Sequence, residues 1–111
     1  MPRYKMVVNS YFVEGREDEY NDWYQNVHLG ELVALKGIVS ARRFRMARKL
    51  VEGEAAPYMA IYEIETDDID AVLQGLIGEA ENSRINMSDA IDTSRTTAVV
   101  YEEFGEVVSQ P

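Results

Sequence analysis

Hydrophobic and polar positions along the chain divide it into six regular stretches. Tyr4 to Phe12 is rich in aromatic and β-branched residues and predicts a strand, which Glu14-Gly15 breaks. Arg16-Glu17-Asp18-Glu19 places acids where the first turn of a helix favours them. Tyr20, Trp23, Tyr24, Val27, Glu31, Ala34 and Leu35 then recur at helical spacing on one face, and Gly37 closes that helix. Ile38 to Arg48 predicts a second strand, Leu50 to Ala56 a hairpin loop, and Tyr58 to Glu65, opened by Pro57, a third strand. Thr66 reads as an N-cap before Asp67, Asp68 and Asp70. Ile69, Val72, Leu73, Leu76 and Ile77 follow as an i, i+3, i+4, i+7, i+8 stripe. Gly78 to Thr93 is polar and irregular, Thr96 to Phe104 predicts the last strand, and residues 105–111 form a tail.

The order β-α-β-β-α-β is the ferredoxin-like α+β plan, a four-stranded antiparallel sheet in one domain over residues 1–111 with its core at about 4–104. Right-handed crossovers put both helices on one face of the sheet. Alternation gives one side Met6, Val8, Phe44, Met46, Tyr58, Ala60, Tyr62 and Ile64. The other side receives Val7, Tyr11, Val39, Ala41, Met59, Ile61, Val99 and Tyr101. A half-solvated sheet would be more polar on its free face. Two apolar faces call for two covers, and a second copy of the sheet supplies the other, so a homodimer packed sheet to sheet is expected.

Composition narrows the classes. Acids outnumber bases 20 to 11 among 111 residues, a net charge of −9, which argues against nucleic-acid and anionic-membrane binding. The absence of cysteine removes disulfides, thiolate nucleophiles and thiolate metal sites. No apolar run approaches a membrane span and the N-terminus lacks a signal peptide's apolar core, so a cytoplasmic protein is expected. The charge is lopsided: residues 1–55 carry 9 bases and 8 acids, residues 56–111 carry 2 and 12. Five of the bases cluster as Arg42, Arg43, Arg45, Arg48 and Lys49, either a solvated rim with strand-to-strand ion pairs or a clamp for an anionic ligand.

Few residues remain for chemistry. His28 is the only histidine, at the edge of the first helix's apolar arc, one turn after Tyr24. Two readings fit it: a general acid/base working near neutral pH, or a packed ring bonded to a backbone carbonyl. Glu31 projects into the centre of the same arc, where a carboxylate must be paired, protonated or facing a cavity. It could answer Arg43 or Arg45 on the neighbouring strand, or serve the site. Tyr20, Trp23, Tyr24 and His28 put four polar-tipped rings on one short face, more than a dry core needs, and a ligand cavity between helix and sheet would partner the tips. Tyr62 and Arg43 on the strands join that lining. One histidine without cysteine gives no recognisable metal-ligand spacing, no glycine-rich phosphate loop follows the first strand, and no serine sits in a nucleophile elbow, so neither metal nor cofactor is expected.

Tyr20-x3-Tyr24-x3-His28 resembles the aromatic-x3-aromatic-x3-His signature of EthD-like proteins in the dimeric α/β-barrel superfamily. His28-Leu29-Gly30-Glu31 and Lys36 to Phe44 resemble that family's helix end and second strand. Where the family often has proline this chain has Gly30 and Lys36, and Ile38 stands for the usual aromatic. The likeness spans residues 4–104, and its specific part is 20–44. It implies two βαββαβ chains whose sheets form a barrel, with a cleft in each for a hydrophobic, aromatic or polyketide-like molecule. It also implies that His28 acts as acid/base. Joined to the residues above, this leads to a cofactor-independent lyase, cyclase or isomerase. His28 would move a proton, Tyr24 would bond the substrate oxygen and Glu31 would orient His28 or raise its basicity. Tyr20, Trp23, Tyr62 and Arg43 would hold the substrate. The alternatives are a non-catalytic ligand-binding or accessory protein of a degradation pathway and a cofactorless monooxygenase.

Overall fold

Strand residues alternate between a side facing the helices, which holds most of the buried apolar side chains, and a side facing away from them. The computed structural model describes all residues, 1–111. β1 spans Arg3–Ser10, β2 Ile38–Arg45, β3 Tyr58–Glu65 and β4 Thr97–Glu102. They form one antiparallel sheet in the order β2-β3-β1-β4. The first helical rod, α1, covers residues 17–33, and α2 covers Ile69–Glu81. The α+β ferredoxin-like arrangement is therefore as the hydrophobic pattern predicts. β3 has the expected bounds, whereas β1 stops at Ser10 and β4 at Glu102. Beyond β1, Phe12 only bridges Ile91, and beyond β4, Phe104 stands in solvent.

The core lies between the sheet and the helices. Met6, Val8, Ala60, Tyr62 and Ile64 from the sheet meet Tyr20, Trp23, Tyr24, Leu29 and Leu32 from α1 and Val72 from α2. The α2 stripe is shallower than its periodicity suggests, since Val72 alone is fully buried and Ile77 is exposed. Asp68, rather than Thr66, caps α2: its Oδ1 accepts from the Ala71 N–H at 3.1 Å, while Thr66 Oγ1 accepts from the Asp68 N–H in a local turn. α2 runs to Glu81, inside the stretch expected to be irregular, and Ile85, Ala90 and Ile91 beyond it are buried.

One register differs from the expected alternation. A bulge between Ile38 and Ser40 shifts β2 by one position. Ile38, Ala41 and Arg43 therefore share the helix side, where Ala41 pairs Tyr62 and Arg43 pairs Ala60. Phe44, expected there, moves to the free face opposite Met59. An alternating chain that slips by one residue exchanges its faces from that point on. The free face now carries Val7, Phe44, Met59, Ile61, Val99 and Tyr101, an apolar patch interleaved with Lys5, Asn9, Arg42, Glu63 and Thr97.

Gly37 ends the α1–β2 connection at φ +93°, and a Cβ there would lie 2.6 Å from Val72 Cγ2. Gly37→Ala combines a left-handed backbone with a clash against the core and is expected to cost about 2 kcal/mol. A lowered urea midpoint at unchanged m-value checks this.

Candidate functional site

Helical pitch changes where the aromatic residues of α1 converge. Glu17–Trp23 and Leu29–Val33 are α-helical, but Tyr24–His28 forms a π-turn between them. Such wide turns are rare and sit often at functional sites. Here the turn puts the His28 ring parallel to Trp23, with centroids 4.6 Å apart at 28°, and edge-on to Tyr24 at 5.1 Å and 89°. Tyr24 in turn meets Tyr20 and Trp23 edge-on.

Most polar tips in this cluster are satisfied within the chain. Tyr20 Oη and Ser10 Oγ, both buried, bond each other. Trp23 Nε1 donates to the Asn86 carbonyl at 2.7 Å. Tyr58 Oη donates to Glu17 at 2.7 Å and accepts from Asn21 at 3.1 Å. Two buried atoms stand apart: His28 Nδ1 and Tyr62 Oη have no hydrogen-bond partner. Tyr62 lies beside the Tyr24 phenol, close enough for each to perturb the other's ionisation, yet no bond of normal geometry joins them.

Burial dominates the electrostatics. It disfavours the imidazolium, holding His28 down at about 4, while the Glu31 carboxylate pulls the other way. His28 is therefore neutral at pH 7. Burial also pushes the Tyr24 phenol up to about 12 and Tyr62 higher still, so both keep their protons. Replacing Tyr62 by Phe removes an unpartnered buried hydroxyl and should raise stability by about 1 kcal/mol. Matched thermal melts of the two proteins test that sign.

The other expected site residues are accounted for individually. Glu31 is not bonded to His28, nor to Arg43 or Arg45. Its carboxylate accepts from the Asn86 backbone N–H at 3.0 and 3.1 Å and from Asn86 Nδ2 at 2.8 Å. Glu31 thus pins the segment after α2 onto α1 and reaches His28 only through its charge. Arg43 joins the cluster because of the β2 bulge. Its guanidinium lies 4.8 to 5.3 Å from the ring centroids of Tyr20, Tyr24 and Tyr58, and donates to Asn21 Oδ1 at 2.8 Å. Asn21, Tyr58 and Asn86 were not among the expected residues. Asn21 is one residue past Tyr20, on the polar edge of the helix, and only the tertiary fold brings Asn86 to Glu31 and Trp23. The expected open cavity between helix and sheet is not among the four main surface depressions, none of which is lined by His28, Tyr24 or Tyr62. The rings instead pack on one another. No three His, Asp or Glu side chains converge as a metal-ligand set.

No family model and no curated protein matches the chain. Among solved structures it is similar to an ethyl tert-butyl ether D (EthD) family protein from Bacillus halodurans C-125, with TM-score 0.65 and 15% identity over 94% of this chain and 100% of that one. It is similar also to a candidate monooxygenase from Shewanella loihica PV-4, with TM-score 0.61 and 9% identity over 99% of both chains. HapK from Hahella chejuensis aligns over the full length of both chains with TM-score 0.53 and 17% identity. At these identities the likeness establishes the fold: the chain has an EthD-like fold.

Proposed function

We propose that this chain acts on a hydrophobic phenol- or carbonyl-bearing small molecule, as a cofactor-independent acid/base enzyme of the lyase, cyclase or isomerase type. The observation that carries this reading is the pair of buried, unpartnered polar atoms, His28 Nδ1 and Tyr62 Oη, bridged by Tyr24. Buried polar groups are normally bonded, and a ligand oxygen is one partner that would complete them. Their protonation states suit proton abstraction beside a carbonyl. The neutral His28 is free to accept a proton, and the protonated phenols of Tyr24 and Tyr62 are donors for the oxyanion that develops. Arg43 adds positive charge against the face of Tyr24, and Trp23 and Tyr20 supply the apolar wall. Glu31 assists through its negative charge, which favours the imidazolium formed on proton transfer.

The close packing of the rings favours a second reading, a non-catalytic protein that binds the same class of ligand. A panel of phenols and polyketide-like carbonyl compounds separates the two. A raised melting temperature with conversion of the compound supports the enzyme, and a raised melting temperature without conversion supports the binder. If no compound raises the melting temperature, and none binds less well to Tyr62→Phe, both readings fall.

The apolar patch on the free face supports a homodimer joined sheet to sheet, because a second copy presents the same exposed apolar side chains to cover it. Sedimentation at micromolar concentration is expected to give twice the chain mass, and a monomer would sink this reading.

A further inference from the structure

Two exposed segments lie at opposite corners of the sheet. β2 and β4 are its two edges. β2 ends at Arg45, opposite Tyr58, and leads into residues 46–57, an arm projecting from the corner where β1 ends. β4 ends at Glu102, opposite Tyr4, at the corner where β1 begins. Arg45, Arg48 and Lys49 make the start of the arm basic, Glu52 and Glu54 follow farther along it, and from Thr96 to Pro111 there are three acids and no base. Arg42, Arg45, Arg48 and Lys49 form no ion pair within the chain. Both segments also expose apolar side chains almost completely: Leu50 at 99% and Val51 at 81% on the arm, Phe104 at 99% and Val108 at 95% after β4. Beside the arm, on the free face, lies a groove of about 650 Å³ lined by Phe44, Arg45, Met46, Met59 and Arg95 among others.

We propose that in the homodimer the segment after β4 of one copy, Phe104 to Val108, lies along the 46–57 arm of the other, with Phe104 in the groove beside Met46. The inference rests on the dimer reading and specifies its geometry. An isologous two-fold axis running between the sheets along one diagonal exchanges the corners of the other diagonal. Such an axis brings each arm onto the partner's segment, a contact made once on each side of the axis, and it crosses the strands of the two sheets steeply instead of aligning them. An axis parallel to the strands would set the two segments at opposite ends and leave both uncovered. Charge at the start of the arm suits the same pairing, since Glu106 would meet the unpaired Arg45 and Arg48.

The absence of cysteine makes the contact directly readable. The double variant Phe104→Cys, Met46→Cys should form a covalent dimer on mild oxidation, and each single variant should not. Ending the full chain after Glu103 should raise the dimer dissociation constant roughly tenfold or more, as expected when a pocketed aromatic anchor is lost. Arg45→Glu should raise it too, and Glu106→Lys in the same chain should recover part of the loss. A dimer that keeps its dissociation constant on truncation and yields no cross-link overturns the arm-to-segment contact while leaving the dimer standing. A monomeric intact chain overturns both.

Discussion

His28→Phe is expected to lower turnover of any substrate by about 10²- to 10⁴-fold, the usual worth of a positioned acid/base group, while making the protein more acid-resistant. The folded-state value of about 4 lies below the ordinary 6.5 because burial disfavours the charged ring. Between those values the unfolded chain binds a proton that the folded chain refuses, so stability rises with pH across that window. The contribution is fully present above pH 6.5 and is lost as pH falls toward 4, a change of about 3 kcal/mol. Phenylalanine keeps a flat ring against Trp23 and Tyr24 and has nothing to titrate. Denaturant unfolding of the two proteins from pH 7 to pH 4 should therefore show the native protein losing stability that the variant keeps. Parallel curves would mean that His28 titrates normally and is not desolvated.

Trp23→Ala should be the most destabilising single replacement in α1, at about 3 to 5 kcal/mol. The ring is buried, stacks on His28, meets Tyr24 edge-on at 5.1 Å, and its Nε1 holds the Asn86 carbonyl. Its loss opens a cavity, frees one of the two side-chain ties from α1 to Asn86, and lets water reach His28. The imidazole should then titrate closer to 6.5, which an NMR pH titration of the single histidine reads without assignment. Trp23→Phe separates the effects, because it keeps most of the packing and removes only the bond to Asn86. It should cost about 1 kcal/mol.

The sequence revealed the elements more completely than the contacts. Strand and helix order, the bounds of β3 and the helical face bearing Tyr20, Trp23, Tyr24 and His28 all follow from residue periodicity, a local property. The faces of β2 did not, because a single bulge between Ile38 and Ser40 inverts alternation and leaves no clear mark on composition. The same inversion carries Arg43 to the helix side, among the tyrosines, and Phe44 to the free face. The partner of Glu31 was equally illegible. A carboxylate in the middle of an apolar arc announces that it needs a donor, but Asn86 is 55 residues away and reaches it only after α2 has packed.

For this protein, the sequence alone determined the βαββαβ order, the lack of cysteine chemistry, the solitary histidine and the split of charge between its halves. These depend on which residues occur and how they are spaced. Tertiary structure decided which tips were satisfied, leaving His28 Nδ1 and Tyr62 Oη unpartnered, and it set His28 neutral and the two phenols protonated. Those outcomes depend on distance and on exclusion of water. Spacing along the chain encodes neither until the sheet and helices close on each other.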